Sequence, residues 1–263
     1  MREAEEKIRQ ALGAQGQGVR VRALGETDST NTRLKEGARA GEIHAPCLLT
    51  ADCQTAGRGR LGRRFVSPAG TGLYMSLLIQ PPETTDGGKI TILAAVAVCR
   101  AIHELTGLQP KIKWVNDLFL NGKKVCGILA EKIDQGIIVG IGVNLLPPPG
   151  GFPPEAGAAG ALNADVDRFT LAGRIGAYFL DGMNKLDFGD AIAYYRAHMP
   201  LTGREIHYQK DGQQKNARVT GVSDDGGLMI EDDTGPHVLR TGEVSLGSRE
   251  VEDIFRDELG VRS

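Results

Sequence analysis

Gly57-Arg58-Gly59-Arg60-Leu61-Gly62-Arg63-Arg64 sets three glycines at the spacing G-x-G-x-x-G, and the residues just after it decide which fold that spacing belongs to. In a dinucleotide-binding fold the loop opens a helix whose N-terminus receives the pyrophosphate. Here the chain continues Phe65-Val66-Ser67-Pro68-Ala69-Gly70-Thr71-Gly72, too rich in proline, glycine and β-branched residues to begin one. The doubly wound Rossmann reading fails. What remains is a loop with four arginines in the seven positions 58–64, interleaved with glycines that let backbone amides approach a ligand closely. A guanidinium stays charged and grips phosphate or carboxylate through two parallel donors, so this loop is suited to anions.

Working outward, residues 46–54 read as a strand entering the loop, and 73–79 as a second strand, stopped by Pro81-Pro82. The clearest helix is 89–105, where Ile90, Ala94, Ala97, Ala101 and Leu105 recur at helical spacing; it should pack on a sheet. Residues 111–144 have the pattern of an antiparallel meander: a strand at 111–120, a turn at Asn121-Gly122, a strand at 123–133, a turn near Gln135-Gly136, and a strand at 137–144. Residues 1–12 read as an amphipathic helix, and Asp28-Ser29-Thr30-Asn31 as an N-cap cluster ahead of a short helix containing Leu34. Residues 147–160, rich in Pro, Gly and Ala, read as a mobile loop, and helical patterns resume at 170–185 and 188–198. Beyond Pro200 the character changes to short strands separated by Asp211-Gly212, Asp225-Gly226-Gly227 and Thr234-Gly235, the pattern of a small β-barrel-like domain. The expected division is therefore 1–199 and 200–263, compatible with one sizeable and one small domain in 263 residues.

Composition narrows the function classes. Hydrophobic residues at 41% and charged residues at 24% are ordinary for a globular chain, and the apolar runs are too short to span a bilayer. Met1-Arg2-Glu3-Ala4-Glu5-Glu6-Lys7 lacks the apolar stretch of a secretory signal, so a cytoplasmic location and no membrane partner are expected. A net charge of −2 argues against a general nucleic-acid binder. Cys47, Cys53, Cys99 and Cys126 form no C-x-x-C pair and the five histidines show no H-E-x-x-H pattern, so no structural metal site is expected.

A second basic cluster lies in Lys111-Ile112-Lys113-Trp114-Val115-Asn116-Asp117 and Lys123-Lys124. In a regular strand Lys113 and Asp117 share a face, and the Asn121-Gly122 hairpin pairs Phe119 with Lys124, bringing two lysines and a carboxylate together. A turn at Asn116-Asp117 would break that parity. Exposed lysines that keep a sheet edge soluble are the plainer explanation for such a cluster standing alone.

Taken together, Ser29-Thr30-Asn31, Gln54-Thr55-Ala56-Gly57-Arg58-Gly59-Arg60-Leu61-Gly62-Arg63, Lys113-Trp114-Val115-Asn116-Asp117, Lys123-Lys124-Val125-Cys126-Gly127-Ile128-Leu129 and Gly140-Ile141-Gly142-Val143-Asn144 resemble the biotin protein ligases in order and spacing. The resemblance is strong over about residues 25–145 and extends in outline to the C-terminal part. It implies an α+β fold, with a mixed sheet and helices like the class II aminoacyl-tRNA synthetase catalytic domain, followed by an SH3-like β-barrel.

It also implies ATP-dependent activation of biotin to biotinyl-5'-AMP and transfer to a lysine of a biotin carboxyl carrier protein, with Mg²⁺ accompanying ATP. By this carry-over Ser29, Thr30, Asn31 and Gln54 meet the biotin head group. Arg58, Gly59 and Arg60 close over biotin and its adenylate, with Gly127 beside them and Lys124 near the reacting carboxylate. Arg63, Lys113, Asn116 and Asn144 serve ATP. Arg60, Lys124 and Asp117 are the candidate catalytic groups, Asp117 for accepting a proton or positioning metal. Phe65 stands where the family often has tryptophan, and Val115 where proline is usual. The 28 residues before Ser29 are too few for the helix-turn-helix domain of relatives that double as repressors, so a single-function ligase without DNA binding is expected, as monomer or homodimer. The rival of the same fold, a lipoate or octanoate ligase or transferase, typically carries an Arg-Arg-x-Ser-Gly-Gly-Gly-like loop, which is absent here.

Overall fold

A computed structural model describes residues 1–82, 87–185, 188–210, 212–240, 242, 244–245 and 254–255. In chain order these form α1 (Arg2–Leu12), β1 (Arg20–Thr27), α2 (Thr30–Arg39), β2 (Cys47–Gln54), β3 (Gly72–Ile79), α3 (Gly87–Thr106), β4 (Lys111–Lys113), β5 (Asp117–Leu120), β6 (Lys123–Ile133), β7 (Gly136–Asn144), α4 (Arg168–Lys185), α5 (Phe188–His198), and then β8 (Glu205–Lys210), β9 (Gln213–Val222), β10 (Leu228–Asp232), β11 (Gly235–Leu239) and β12 (Val244–Ser245).

The first seven strands make one sheet in the order β1-β2-β3-β7-β6-β5-β4. Its one parallel pair is β1 with β2, and the remaining pairs are antiparallel. Strand alternation sorts its two faces. Leu48, Leu77 and Val139 point into the larger core with α1, α3 and α4, whereas Leu49, Leu78 and Ile138 meet Leu34 and Ala38 of α2 on the opposite side. Every residue of β3 is consequently buried, which explains why it reads as a continuous apolar run rather than an alternation. Burying a leucine of this kind stabilises by about 1.5–3 kcal/mol, and truncating one to alanine costs about 2–5 kcal/mol.

Three details differ from the sequence reading. Residues 111–120 are two strands, not one: Trp114, Val115 and Asn116 form a turn between β4 and β5. Lys113 and Asp117 still share a face, because the turn makes them direct cross-strand partners. Ser29 occupies the N-cap position of α2 but makes no side-chain cap bond. Finally, β1 has no counterpart in the sequence reading. Its alternation is carried only by Val21 and Ala23 between Arg20, Arg22 and exposed neighbours, too weak a signal to stand out.

β8 to β12 form a second, antiparallel sheet in the order β11-β10-β9-β8-β12. The expected boundary at 199/200 falls in the turn between α5 and β8. Ile206, Val219, Val222, Leu228 and Ile230 belong to the same apolar cluster as α3, so the two sheets share a continuous core. The Trp114 indole donates to the Gly226 carbonyl at 3.0 Å across that junction. Among the described residues no helix is long and apolar enough to cross a membrane.

Candidate functional site

A cleft opens where the start of α2, the arginine loop and the strands β6 and β7 converge. Ser29, Thr30 and Asn31 line one end, Gln54, Arg58, Gly59 and Phe65 one flank, and Asn116, Lys124 and Gly127 the other. Met75, Ile128, Leu129 and Ile141 supply apolar surface between them.

The polar end is an interlocked wall. Gln54 at the end of β2 accepts from the Thr30 amide at 2.9 Å and from the Thr30 hydroxyl at 3.2 Å. Its Nε2 donates to Ser67 Oγ at 2.9 Å. A strand side chain therefore satisfies the first turn of α2, a task expected of the N-cap residue itself. The Ser76 hydroxyl, fully buried on β3, lies 2.7 Å from Thr30 Oγ1 and 2.6 Å from Asn31 Oδ1, serving one of them at a time with its single proton. Asn31 Nδ2 donates to Glu131 Oε2 at 2.8 Å. Two glycines give the wall its room: a Cβ on Gly140 would sit 2.3 Å from Asn31 Oδ1, and one on Gly142 2.5 Å from Phe65 Cε1.

The other end is cationic. Lys124 Nζ lies 2.7 Å from Asp117 Oδ1. The Phe119↔Lys124 register expected from the Asn-Gly hairpin is present, with a bulge between Leu118 and Phe119. Arg58, by contrast, lies beside the polar wall, where it faces Glu131, the partner of Asn31, with both ends of its guanidinium at 3.1 and 3.3 Å. Arg60 donates to Asn116 Oδ1 at 2.9 Å and to the Gly242 carbonyl at 2.7 Å, while Asn116 Nδ2 is held by the Ile128 carbonyl at 2.9 Å. Burial pushes the Cys126 thiol well above its usual value, so the cysteine behind Lys124 is no nucleophile.

Of the residues singled out in the sequence, Ser29, Thr30, Asn31, Gln54, Arg58, Gly59, Asn116, Lys124 and Gly127 meet in the cleft. Arg60 and Asp117 bond to two of them, Asn116 and Lys124. Arg63, Lys113 and Asn144 lie outside its lining. Lys113 sits over the Phe119 ring at 5.8 Å. Asn144 holds the end of the 147–160 loop by donating to the Gly160 carbonyl at 2.9 Å. Ser76 and Glu131 were not singled out. Ser76 had a signal, a lone hydroxyl in an apolar strand; Glu131 had none, since its partners lie far away in sequence.

Among the described residues no group of three or more His, Cys, Asp or Glu is placed to hold a metal ion. A slot with a neutral hydrogen-bonding wall at one end and cations at the other can hold a ligand with a polar head and an acidic tail, and can draw a second anion to that tail.

Comparisons with known proteins identify the family. Residues 24–145 match the model of the biotin/lipoate A/B protein ligase family, and residues 202–247 that of the biotin protein ligase C-terminal domain. The chain is 30% identical to the bifunctional ligase/repressor BirA of Bacillus subtilis over 88% of this chain and 77% of that one. It is also 30% identical to the biotin--[acetyl-CoA-carboxylase] ligase of Paracoccus denitrificans, over 85% of this chain and 99% of that one. Among solved structures, the biotin protein ligase of Aquifex aeolicus in complex with biotin and ATP superposes with a TM-score of 0.74 at 31% identity, covering 86% of this chain and 97% of that one.

Proposed function

Because the chain belongs to the biotin protein ligase family, we infer that it activates biotin with ATP as biotinyl-5'-AMP and passes the biotinyl group to a lysine of a biotin carboxyl carrier domain. The observation that carries this reading is the cleft itself, in which a wall of amides and hydroxyls faces Lys124 and the arginine loop across an apolar floor. The ureido head of biotin is a neutral donor and acceptor that suits Ser29, Thr30, Asn31 and Gln54. Its valeryl chain suits the apolar floor, and its carboxylate then arrives at Lys124.

In the first step a carboxylate oxygen attacks the α-phosphorus of ATP and pyrophosphate departs, so negative charge gathers where two anions meet. Fixed cations lower that barrier. Arg60 and Lys124 are assigned this role, with Arg58 and Gly59 forming the near side of the loop and Gly127 leaving space beside Lys124. Asp117 is assigned to orient Lys124, with which it is paired at 2.7 Å. Arg63, Lys113, Asn116 and Asn144 are assigned to the ATP side, and Mg²⁺ enters with ATP as part of that substrate. In the second step the acceptor lysine amine attacks the mixed anhydride, an amide forms, and AMP leaves. Residues 1–199 carry the chemistry in this account, and 200–263 support the loop through the Gly242 carbonyl.

The Paracoccus relative's name specifies acetyl-CoA carboxylase, so the acceptor we assign is that enzyme's carrier domain. The test is incubation of the protein with ATP, Mg²⁺, biotin and such a domain, followed by mass spectrometry. A gain of one biotinyl group on one lysine, absent when that lysine is arginine, is expected. An unmodified carrier would overturn the assignment.

A further inference from the structure

Glu131 bonds two residues of the cleft lining, Asn31 and Arg58, yet neither the sequence reading nor the mechanism assigned it a task. It stands on β6, next-but-one to Leu129 of the cleft floor, and its side chain is only 18% exposed. One oxygen, Oε2, accepts from Asn31 Nδ2 at 2.8 Å and from Arg58 Nη1 at 3.3 Å. The other, Oε1, lies 3.1 Å from Arg58 Nη2. Asn31 belongs to the polar wall and Arg58 to the glycine-arginine loop, so one carboxylate ties together two segments that line the cleft.

Chemistry limits what each partner can then do. With Nδ2 committed to Glu131, the Asn31 amide cannot flip, and its Oδ1 is presented to Ser76. The guanidinium of Arg58 is engaged through both Nη atoms by the Glu131 carboxylate, so it is less available to a ligand anion than Arg60, whose partners are the neutral oxygens of Asn116 and Gly242; Lys124 is itself paired with Asp117 at 2.7 Å. The Arg58 pair instead holds the start of the loop, where Gly59 N donates to the Arg63 carbonyl at 2.7 Å and Phe65 N to the Gly57 carbonyl at 3.0 Å.

We propose that Glu131 is a positioning residue: through Arg58 and Asn31 it locks the arginine loop to the polar wall, so that the loop rims the cleft only while the wall is correctly set. This inference rests on the biotin reading above. It predicts that removing the carboxylate loosens the loop and weakens biotin capture while leaving the nucleotide side in place.

The experiment compares the wild-type protein with Glu131→Ala, Glu131→Gln and Arg58→Gln. Each is assayed for biotin-dependent pyrophosphate release, with KM measured separately for biotin and ATP, and for tryptic cleavage after Arg60, Arg63 and Arg64 under native conditions. Glu131→Ala should raise KM for biotin about tenfold or more, the size expected for losing a charge-assisted pair, with KM for ATP little changed. Glu131→Gln keeps an acceptor for Asn31 and should recover part of that loss, yet should resemble Arg58→Gln in faster cleavage of the loop. Equal loss in both KM values, no recovery by Gln, or loop cleavage at the wild-type rate in Glu131→Ala would overturn the proposal. Wild-type protein that releases no pyrophosphate with biotin would instead refute the underlying reading, and the proteolysis comparison would still decide whether Glu131 holds the loop.

Discussion

Arg60 Nη2 donates to the Gly242 carbonyl oxygen at 2.7 Å, so a side chain of the loop over the cleft is fastened to the segment between β11 and β12 of the C-terminal sheet. Its other arm, Nη1, reaches Asn116 Oδ1 at 2.9 Å. The guanidinium thus bridges the two sheets at the mouth of the site. Lysine could not reproduce this fork, since an ammonium offers no pair of parallel donors.

Arg60→Ala removes both bonds and the cation that the proposed mechanism assigns to the meeting of two anions. Adenylate formation should fall about tenfold to hundredfold, and Arg60→Lys should recover only part of it. Quenched-flow measurement of biotinyl-AMP on the enzyme checks this; full activity in Arg60→Lys would show that charge alone suffices.

Lys124→Ala should slow adenylate formation by a comparable factor, because Lys124 lines the cleft and is the cation assigned to meet the biotin carboxylate. Asp117→Asn, which keeps the shape and removes the charge facing Lys124 at 2.7 Å, should have a smaller effect on the same step. If Asp117→Asn abolished transfer to the carrier while sparing adenylate formation, Asp117 would be a proton acceptor rather than an orienting partner.

Gly142→Ala should push the Phe65 ring into the cleft, since the new methyl would sit 2.5 Å from Cε1. KM for biotin should rise while thermal stability holds. In a Phe65→Leu background the same substitution should cost less, because the clash is with the ring. Additive effects in the double variant would remove Phe65 from the explanation.

The C-terminal sheet carries its own pH signature. Asp232 accepts from Tyr208 at 2.5 Å, and also from Thr234 and His237; with the Tyr208 bond leading, these hold its carboxyl well below the usual range. Its stabilising contribution is therefore present above the ordinary carboxylate pKa of about 3.9 and is lost as pH falls through the lower folded value. The Tyr208 hydroxyl is pushed up to about 12 by the same bond, so its contribution is lost only as pH rises through that value. Asp232→Asn should flatten the acid limb of a Tm-against-pH curve. An unchanged limb would assign acid sensitivity elsewhere.

Much of this was legible beforehand because it depends on local pattern. The Asn121-Gly122 hairpin set the β5–β6 register, and with it the meeting of Lys124 and Asp117. The failure of residues 65–72 to continue as a helix excluded the dinucleotide fold. Non-local satisfaction stayed hidden. Ser29 looked like a cap, but the side chain that meets the Thr30 amide comes from Gln54, 24 residues away. The tie from Glu131 to Arg58 spans 73 residues. Neither leaves a periodicity or a motif, because only the folded sheet brings the partners together. β1 escaped for a different reason: α1 covers its edge, with Glu5 accepting from the Ala23 amide and Arg9 donating to the Val21 carbonyl, so few of its side chains needed to be apolar.

The central claim is that the cleft selects biotin and activates its carboxylate. Pyrophosphate release from ATP by the purified protein, with biotin, lipoate and octanoate offered in parallel, tests it most directly. Release that depends on biotin alone is the predicted result; release with lipoate or octanoate in its place, or with none of the three, would contradict it.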